Sequence, residues 1–223
     1  MCSLAIIPAR KGSVRLPGKN TRLLGNKPMV QWTIEAALGS ACVDEVLVTS
    51  DDEEVLGIAG KLGVPHLVNR PASLAGPDTS SADVVRHALA EADVRGIETT
   101  SICLLQPTSP LRTSAHIDEA FAMRAGPRAK PVVSVCELDH PLAWCFRLDD
   151  RQELHSLALP QVPLPYRLNG AIYIVDRDHF ESCGQLVPQE ALGYVMPRER
   201  SVDVDTQYDF DLAAVLIGRL QAG

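Results

Sequence analysis

Two stretches at opposite ends of the chain carry residue types that could do chemistry on a polyphosphate. The first is AIIPARKGSVRLPGKN, residues 5–20. It holds Arg10, Lys11, Arg15 and Lys19; Arg22 and Lys27 follow, and no Asp or Glu occurs before Glu35. The net charge is −7, yet the first 34 residues carry +6 and the remainder −13. Six close cations repel one another unless an anion neutralises them. Gly12, Pro17 and Gly18 share the loop, so backbone can approach a ligand while the cations converge on it. The second stretch is SVDVDT, residues 201–206. It reads as a short strand, in which Asp203 and Asp205 leave the same face. Two carboxylates on one side suit a hard cation that keeps several waters and bridges phosphates.

These groups need a frame. LAIIPA, VDEVLVTS, VPHLV, TSICLLQ, PVVSVCEL and NGAIYIV read as buried strands. They alternate with amphipathic stretches of about a dozen residues, including PMVQWTIEAAL, DDEEVLGIAGKL, SSADVVRHALAEA and TSAHIDEAFAMRA. YDFDLAAVLIGRL reads as a closing helix. The pattern predicts an α/β fold: a doubly wound, mostly parallel, Rossmann-like sheet in one domain spanning residues 1–223. In such sheets ligands bind beyond the carboxyl ends of the strands. The basic loop leaves one such end. LLQPTSPLR leaves another, where Gln106 offers both a donor and an acceptor to a nucleobase.

The alternation stops near Glu137. From Asp139 to Arg167 helical periodicity disappears and Pro141, Pro160, Pro163 and Pro165 appear. A helix-free stretch of that length predicts a lid or a partner-binding arm at residues 139–167, with AWCFRL as a short strand. Other classes fall away. Gly12 and Gly18 are separated by five residues, Pro17 interrupts them and Asn20 replaces the hydroxyl, so the loop is no Walker A motif, and no GxGxxG occurs. The acidic balance excludes nucleic acid or an anionic membrane as the main partner. The apolar runs are shorter than a membrane span. Six cysteines without CxxC spacing predict reduced, mostly buried thiols and a cytoplasmic protein. The six histidines show no metal-ligand spacing and read as structural.

IIPARKGSVRLPGKN, LLQPTSPLR, YRLNGAIYIV and SVDVDTQYDF, in this order, resemble the acylneuraminate (CMP-sialic acid) cytidylyltransferase family, from residue 4 to about 220. The resemblance implies a reaction in which CTP and an acidic sugar give a CMP-sugar and pyrophosphate, with Mg²⁺, in a homodimer. It implies that Arg10, Ser13 and Lys19 bind the triphosphate with Arg15 as a helper, and that Asn20 meets the ribose or base. Gln106 matches a cytosine-proximal position, as do Arg70 and Ser81, although an inserted residue leaves Ser80 and Ser81 both open. Asp203 and Asp205 match metal-binding aspartates, and Arg167, Asn169 and Tyr173 match sugar contacts. The arm is expected to cross to a second subunit.

Some positions depart from that pattern. Thr108 and Ser109 stand where enzymes activating the eight-carbon sugar Kdo carry an acidic residue, which resembles the sialic acid branch. A Lys often found after HPL is replaced by Ala143-Trp144, an expected Arg by Leu159, and an aromatic pair by Gly184-Gln185. The acceptor therefore stays open between sialic acid, another nonulosonate and an acid such as a phosphonate. A CTP-binding regulatory protein without turnover is the second class.

Overall fold

The computed structural model describes residues 2–124, 129–157 and 165–222. Its central feature is a seven-stranded sheet. In chain order the elements are β1 (Cys2–Pro8), a small ribbon of β2 (Leu23–Leu24) and β3 (Lys27–Pro28), α1 (Met29–Leu38), β4 (Glu45–Ser50) and α2 (Glu53–Lys61). Then come β5 (His66–Asn69), α3 (Ser81–Val94), β6 (Thr99–Leu104), α4 (Ser114–Ala122) and β7 (Val132–Glu137). A second ribbon, β8 (Phe146–Leu148) and β9 (Leu154–Ser156), precedes β10 (Tyr166–Asp176), α5 (Arg177–Cys183), β11 (Leu192–Val195) and α6 (Gln207–Ala222). The sheet order is β11-β7-β10-β6-β1-β4-β5.

Strand β1 shows why the sheet is covered on both faces. Ala5 and Ile7 point into one apolar cluster with Val30, Ile34, Val55 and Ile117, from α1, α2 and α4. Leu4 and Ile6 point into another with Val85, Leu89 and Phe180, from α3 and α5. A strand buried on both faces has no polar face to alternate, so it reads as a continuous apolar run. The helices start where short polar side chains can cap them. Asp52 accepts from the Glu54 N–H, Ser80 from the Asp83 N–H, and Thr113 and His116 form a reciprocal capping box.

Strand β10 runs antiparallel to both of its neighbours, whereas the other sheet pairings are parallel. Its beginning therefore lies at the edge where β1, β6 and β7 end, with Arg167 opposite Cys136. Its register against β7 shifts between Leu168 and Tyr173. A third cluster joins Leu16 of the basic loop to Leu111, Val202, Val204, Phe210, Ala213 and Ile217. This cluster fastens the two chemically loaded stretches to one support.

Several elements differ from the sequence-based expectation. Residues 201–206 form no assigned strand. The extended alternation persists, with Val202 and Val204 buried and Asp203 and Asp205 partly exposed, but the Val204 N–H donates to the Thr108 carbonyl of a loop at 2.7 Å. Strand β11 was not anticipated; its LGYV run pairs in parallel with β7. AWCFRL divides into a single 3₁₀ turn, Leu142–Trp144, and β8. The arm ends one residue before Tyr166, so Arg167 belongs to the sheet. Leu159, Pro160 and Pro163 lie outside the described residues. All six cysteines are free; Cys103 and Cys136 are buried, Cys2 and Cys42 half-buried, and Cys145 and Cys183 exposed. Burial pushes the Cys103 thiol up to about 12, which keeps it protonated.

Phe180 is fully buried between α5 and the sheet. Replacing it by Ala removes a large apolar side chain and leaves a cavity, so Phe180→Ala is expected to lose about 3–5 kcal/mol. Equilibrium denaturation would show this as a lower midpoint; an unchanged midpoint would contradict the packing described.

Candidate active site

The basic loop leaves β1 and is fastened at several points. The Lys11 N–H donates to Asp51 Oδ1 at 2.9 Å, and Leu16 is buried in the third cluster. Gly18 takes φ +65°, a left-handed conformation that side chains rarely adopt. Its carbonyl accepts from the Thr21 and Arg22 N–H groups. This turn brings Lys19 inward. Its Nζ lies 3.0 Å from Asp205 Oδ1 and 3.0 Å from the Val204 carbonyl, with the side chain only 13% exposed. Arg15 Nη2 reaches the other oxygen of Asp205 at 2.5 Å. The cationic and dicarboxylate stretches therefore meet directly.

Six of the anticipated nucleotide residues line one cavity of about 170 Å³: Arg10, Lys19, Asn20, Arg70, Ser81 and Gln106. Asn20 is buried; its Nδ2 donates to the Arg10 carbonyl at 3.0 Å, while its Oδ1 has no partner. Arg70 has a side chain 3% exposed and sits 3.5 Å from Asp51, yet its Nε and Nη2 lack hydrogen-bond acceptors. Burial pulls the Arg70 pKa down, with the Arg10 charge adding to this and Asp51 opposing. Arg10 forms no side-chain hydrogen bond or ion pair among the described residues. Buried donors and acceptors without partners are costly unless a ligand satisfies them. This cavity has the donors for an anion and, in Asn20 and Gln106, the amides for a base or ribose.

Ser80 and Ser81 separate cleanly. Ser80 is spent on capping α3, whereas Ser81 faces the cavity. Ser13 and Arg15 do not line the cavity; Ser13 lies half-exposed on the loop and Arg15 is held by Asp205.

A second cavity, of about 660 Å³, holds Arg167 and Asp203 together with Asp139, His140, Arg198 and Tyr208. Burial raises the Asp203 carboxyl above its ordinary value; the Asp205 charge adds to this, while Thr108, Lys19 and Arg167 oppose it. Asp203 Oδ1 is buried without a hydrogen-bond partner. An orphaned carboxylate oxygen beside a second carboxylate fits a divalent cation, which prefers oxygen ligands. Arg167 donates to the Ser201 carbonyl at 3.3 Å. Tyr173 lies farther along β10, where burial first and Asp203 second raise its hydroxyl pKa.

Asn169 departs from the sugar-contact expectation. It is fully buried, its Oδ1 accepts from Ser134 Oγ at 2.6 Å and from the Ala171 N–H, and its Nδ2 donates to Ser201 Oγ at 2.9 Å. With its amide spent, it ties the irregular stretch of β10 to β7 and to residue 201. Next to it, Gly170 takes φ +74°, and a Cβ there would stand 2.7 Å from Gln106 Oε1 and 3.9 Å from Asp203 Cγ. The left-handed φ favours glycine here, and any Cβ would push the Gln106 amide aside.

Sequence reasoning missed Asp51 and Arg198, and it read Thr108 only as a mark separating branches of the family. Asp51 follows the carboxyl end of β4, so the strand-end rule could have found it. Thr108 acts twice: its carbonyl accepts from the Val204 N–H, which no side-chain motif reveals, and its side chain favours the charged form of Asp203. At the arm, ligand atoms of Asp149, Glu153 and His155 gather within 4.8 Å of one another, contrary to the expectation for the histidines. His155 Nε2 lies 2.8 Å from Asp149 Oδ2, a bond internal to the ribbon.

Residues 4–156 match the family described as "Cytidylyltransferase". The chain belongs to the cytidylyltransferase family. Among relatives of this cytidylyltransferase-family chain, an N-acylneuraminate cytidylyltransferase from Escherichia coli is 37% identical over 96% of the chain. The chain spans 51% of that relative's length. A CMP-N,N'-diacetyllegionaminic acid synthase from Legionella pneumophila is 34% identical, covering 96% of the chain and 95% of the relative. A pseudaminic acid cytidylyltransferase from Campylobacter jejuni is 29% identical, covering 97% and 96%. A CMP:2-keto-3-deoxy-manno-octonic acid synthetase solved with CTP superposes with a TM-score of 0.70 at 20% identity, covering 99% of this chain and 100% of that one. That likeness establishes the mixed, mostly parallel, Rossmann-like fold.

The raised Asp203 pKa has a stability consequence. The folded state binds that proton more tightly than the unfolded state, so this group's contribution falls as pH rises from the ordinary aspartate pKa through the raised one. Asp203→Asn is expected to be more thermally stable than the parent near neutral pH, with the difference vanishing in acid. Melting curves across pH check this; an Asn variant melting lower at neutral pH would contradict it.

Proposed function

We propose that the protein transfers CMP from CTP to a hydroxyl of an acidic sugar, sialic acid or another nonulosonate, and releases pyrophosphate. One observation carries the reading. Lys19 lines the small cavity and holds Asp205 at 3.0 Å, so a triphosphate cradle and a pair of carboxylates share one cation. The relatives named for N-acylneuraminate, legionaminic acid and pseudaminic acid support the acceptor class.

In this reading the acceptor oxygen attacks the α-phosphorus in line, the bond to the bridging oxygen of the β-phosphate breaks, and pyrophosphate departs. Catalysis of such a step rests on positioning and on stabilising developing charge. Arg10 supplies a planar fork to the phosphates, and Lys19 a compact charge near the leaving group. Gln106, with Asn20, Arg70 and Ser81 around it, selects cytosine. Asp203 and Asp205 would hold magnesium, which when bound neutralises phosphate charge. Arg15 and Lys19 neutralise Asp205 in the ligand-free protein. Arg167 faces the larger cavity with Asp203 and is the cation best placed for the acceptor's carboxylate. Ala143 is exposed on its 3₁₀ turn and contributes no charge, which favours an acceptor recognised differently from sialic acid.

Pyrophosphate release from CTP with Mg²⁺ and a panel of acidic sugars, with UTP as comparison, tests the reading. Lys19→Ala and Asp205→Asn should each slow turnover by roughly a hundredfold or more, from about 3 kcal/mol of lost stabilisation, without loss of fold. Normal rates in either variant would refute the roles given. CTP-dependent thermal stabilisation without product from any acceptor would favour a regulatory nucleotide-binding protein.

We further propose a cytoplasmic homodimer built through the arm. Trp144 and Leu154 are 69% and 68% exposed, and Phe146, Leu148, Leu157, Tyr166 and Leu168 are exposed nearby in the chain. So large an apolar set calls for a cover, and a second copy supplies it. Six free thiols accord with a reducing compartment. Among the described residues no helix is long and apolar enough to cross a membrane. Light scattering should give twice the monomer mass for the parent and monomer mass for Trp144→Glu/Leu154→Glu; a monomeric parent at micromolar concentration would overturn the dimer.

A further inference from the structure

Behind the PTSP turn lies a separate cavity of about 200 Å³, lined by Arg112 and Arg200 with Trp32, Leu111, Ile217 and Leu220. Arg112 is 2% exposed. Its Nη1 donates to the Ser109 carbonyl at 2.9 Å and reaches Thr33 Oγ1 at 3.5 Å, but its Nε and Nη2 are buried without an acceptor. No ion pair to Arg112 or Arg200 occurs among the described residues, and no carboxylate among them lines the cavity. Arg200 makes one long bond to the Leu111 carbonyl, at 3.5 Å. Burial alone pulls the Arg112 pKa down to about 10, and both arginines add to the downward pull of burial on His116 nearby.

A buried guanidinium without a counter-charge is expensive. In a protein of net charge −7, carboxylates are plentiful, yet none among the described residues is spent here. Two unpaired arginines on one cavity are the donors for an anion, and the planar fork of each matches a carboxylate. The remaining walls are mostly apolar: an indole, two leucines, an isoleucine and a proline, with Thr113 the one polar neighbour and its hydroxyl already accepting from the His116 N–H. A compact phosphate would leave those walls unfilled. We propose that this cavity binds a small organic monocarboxylate with a short apolar body, at a site separate from the nucleotide and acceptor cavities.

The chain has only two tryptophans, Trp32 on this cavity and Trp144 on the arm. In a Trp144→Phe background, emission reports on Trp32 alone. Titration with hexanoate, at ionic strength fixed with sodium chloride, should give a saturable change in emission. Arg200→Gln should weaken that binding about tenfold, in keeping with loss of one charge-assisted pair. Arg112→Met should weaken it comparably. Lys19→Ala should leave it intact, because the nucleotide cavity is elsewhere. A response to inorganic phosphate but not to hexanoate would overturn the carboxylate assignment. No response to either, or a hexanoate response indifferent to both arginine changes or abolished by Lys19→Ala, would overturn the site.

Discussion

The contact of Lys19 with Asp205 and the Val204 carbonyl organises the functional half of the molecule. It joins a loop that would otherwise be a cluster of mutually repelling cations to a segment that would otherwise hold two adjacent carboxylates. Each group offsets the other's cost, and Arg15 adds a second tie. The third apolar cluster holds the supports on which this exchange is made, since Leu16 and Val204 are buried in it together. Charge alone would be screened at a surface. Because Lys19 is mostly enclosed, its pairing with Asp205 is screened less than a surface pair would be.

The reversed direction of β10 is the second determinant. A wholly parallel sheet would present only strand ends to the ligand edge. Here the start of β10 arrives at that edge, and its irregular stretch passes between Gln106 and Asp203 through Gly170, whose left-handed φ suits glycine. Asn169 fixes this bend through Ser134 and Ser201. The spacing between the Gln106 amide and the Asp203 carboxylate is thus set by backbone, not by flexible side chains.

Much of this was legible in the residues. Doubly buried strands announce themselves as apolar runs, and capped helices between them fix the α/β class. Six of the residues assigned to the nucleotide line one cavity, although of the six cations before Glu35 only Arg10 and Lys19 do so. What escaped depended on tertiary hydrogen bonding. Residues 201–206 carry strand alternation, but their key N–H goes to Thr108 in a loop, so no ladder forms. LGYV is too short to announce β11 without β7 beside it. Asn169 carries a polar side chain that motif matching assigns to a ligand, yet its bonds all turn inward. The cysteines show the converse: Cys145 and Cys183 are exposed although the composition predicted burial.

Lys19 and Asp205 lie 186 positions apart. A nascent chain leaving the ribosome therefore presents its cationic loop long before the matching carboxylate emerges. Until then Lys19 has no tie, the third cluster lacks Val204 and Phe210, and the cradle cannot close. Contacts this distant form late, because loop closure must be paid before they give any return. If the cradle holds a triphosphate as proposed, a fragment ending before residue 201 would keep the strands of the sheet yet lack the carboxylate that steadies Lys19.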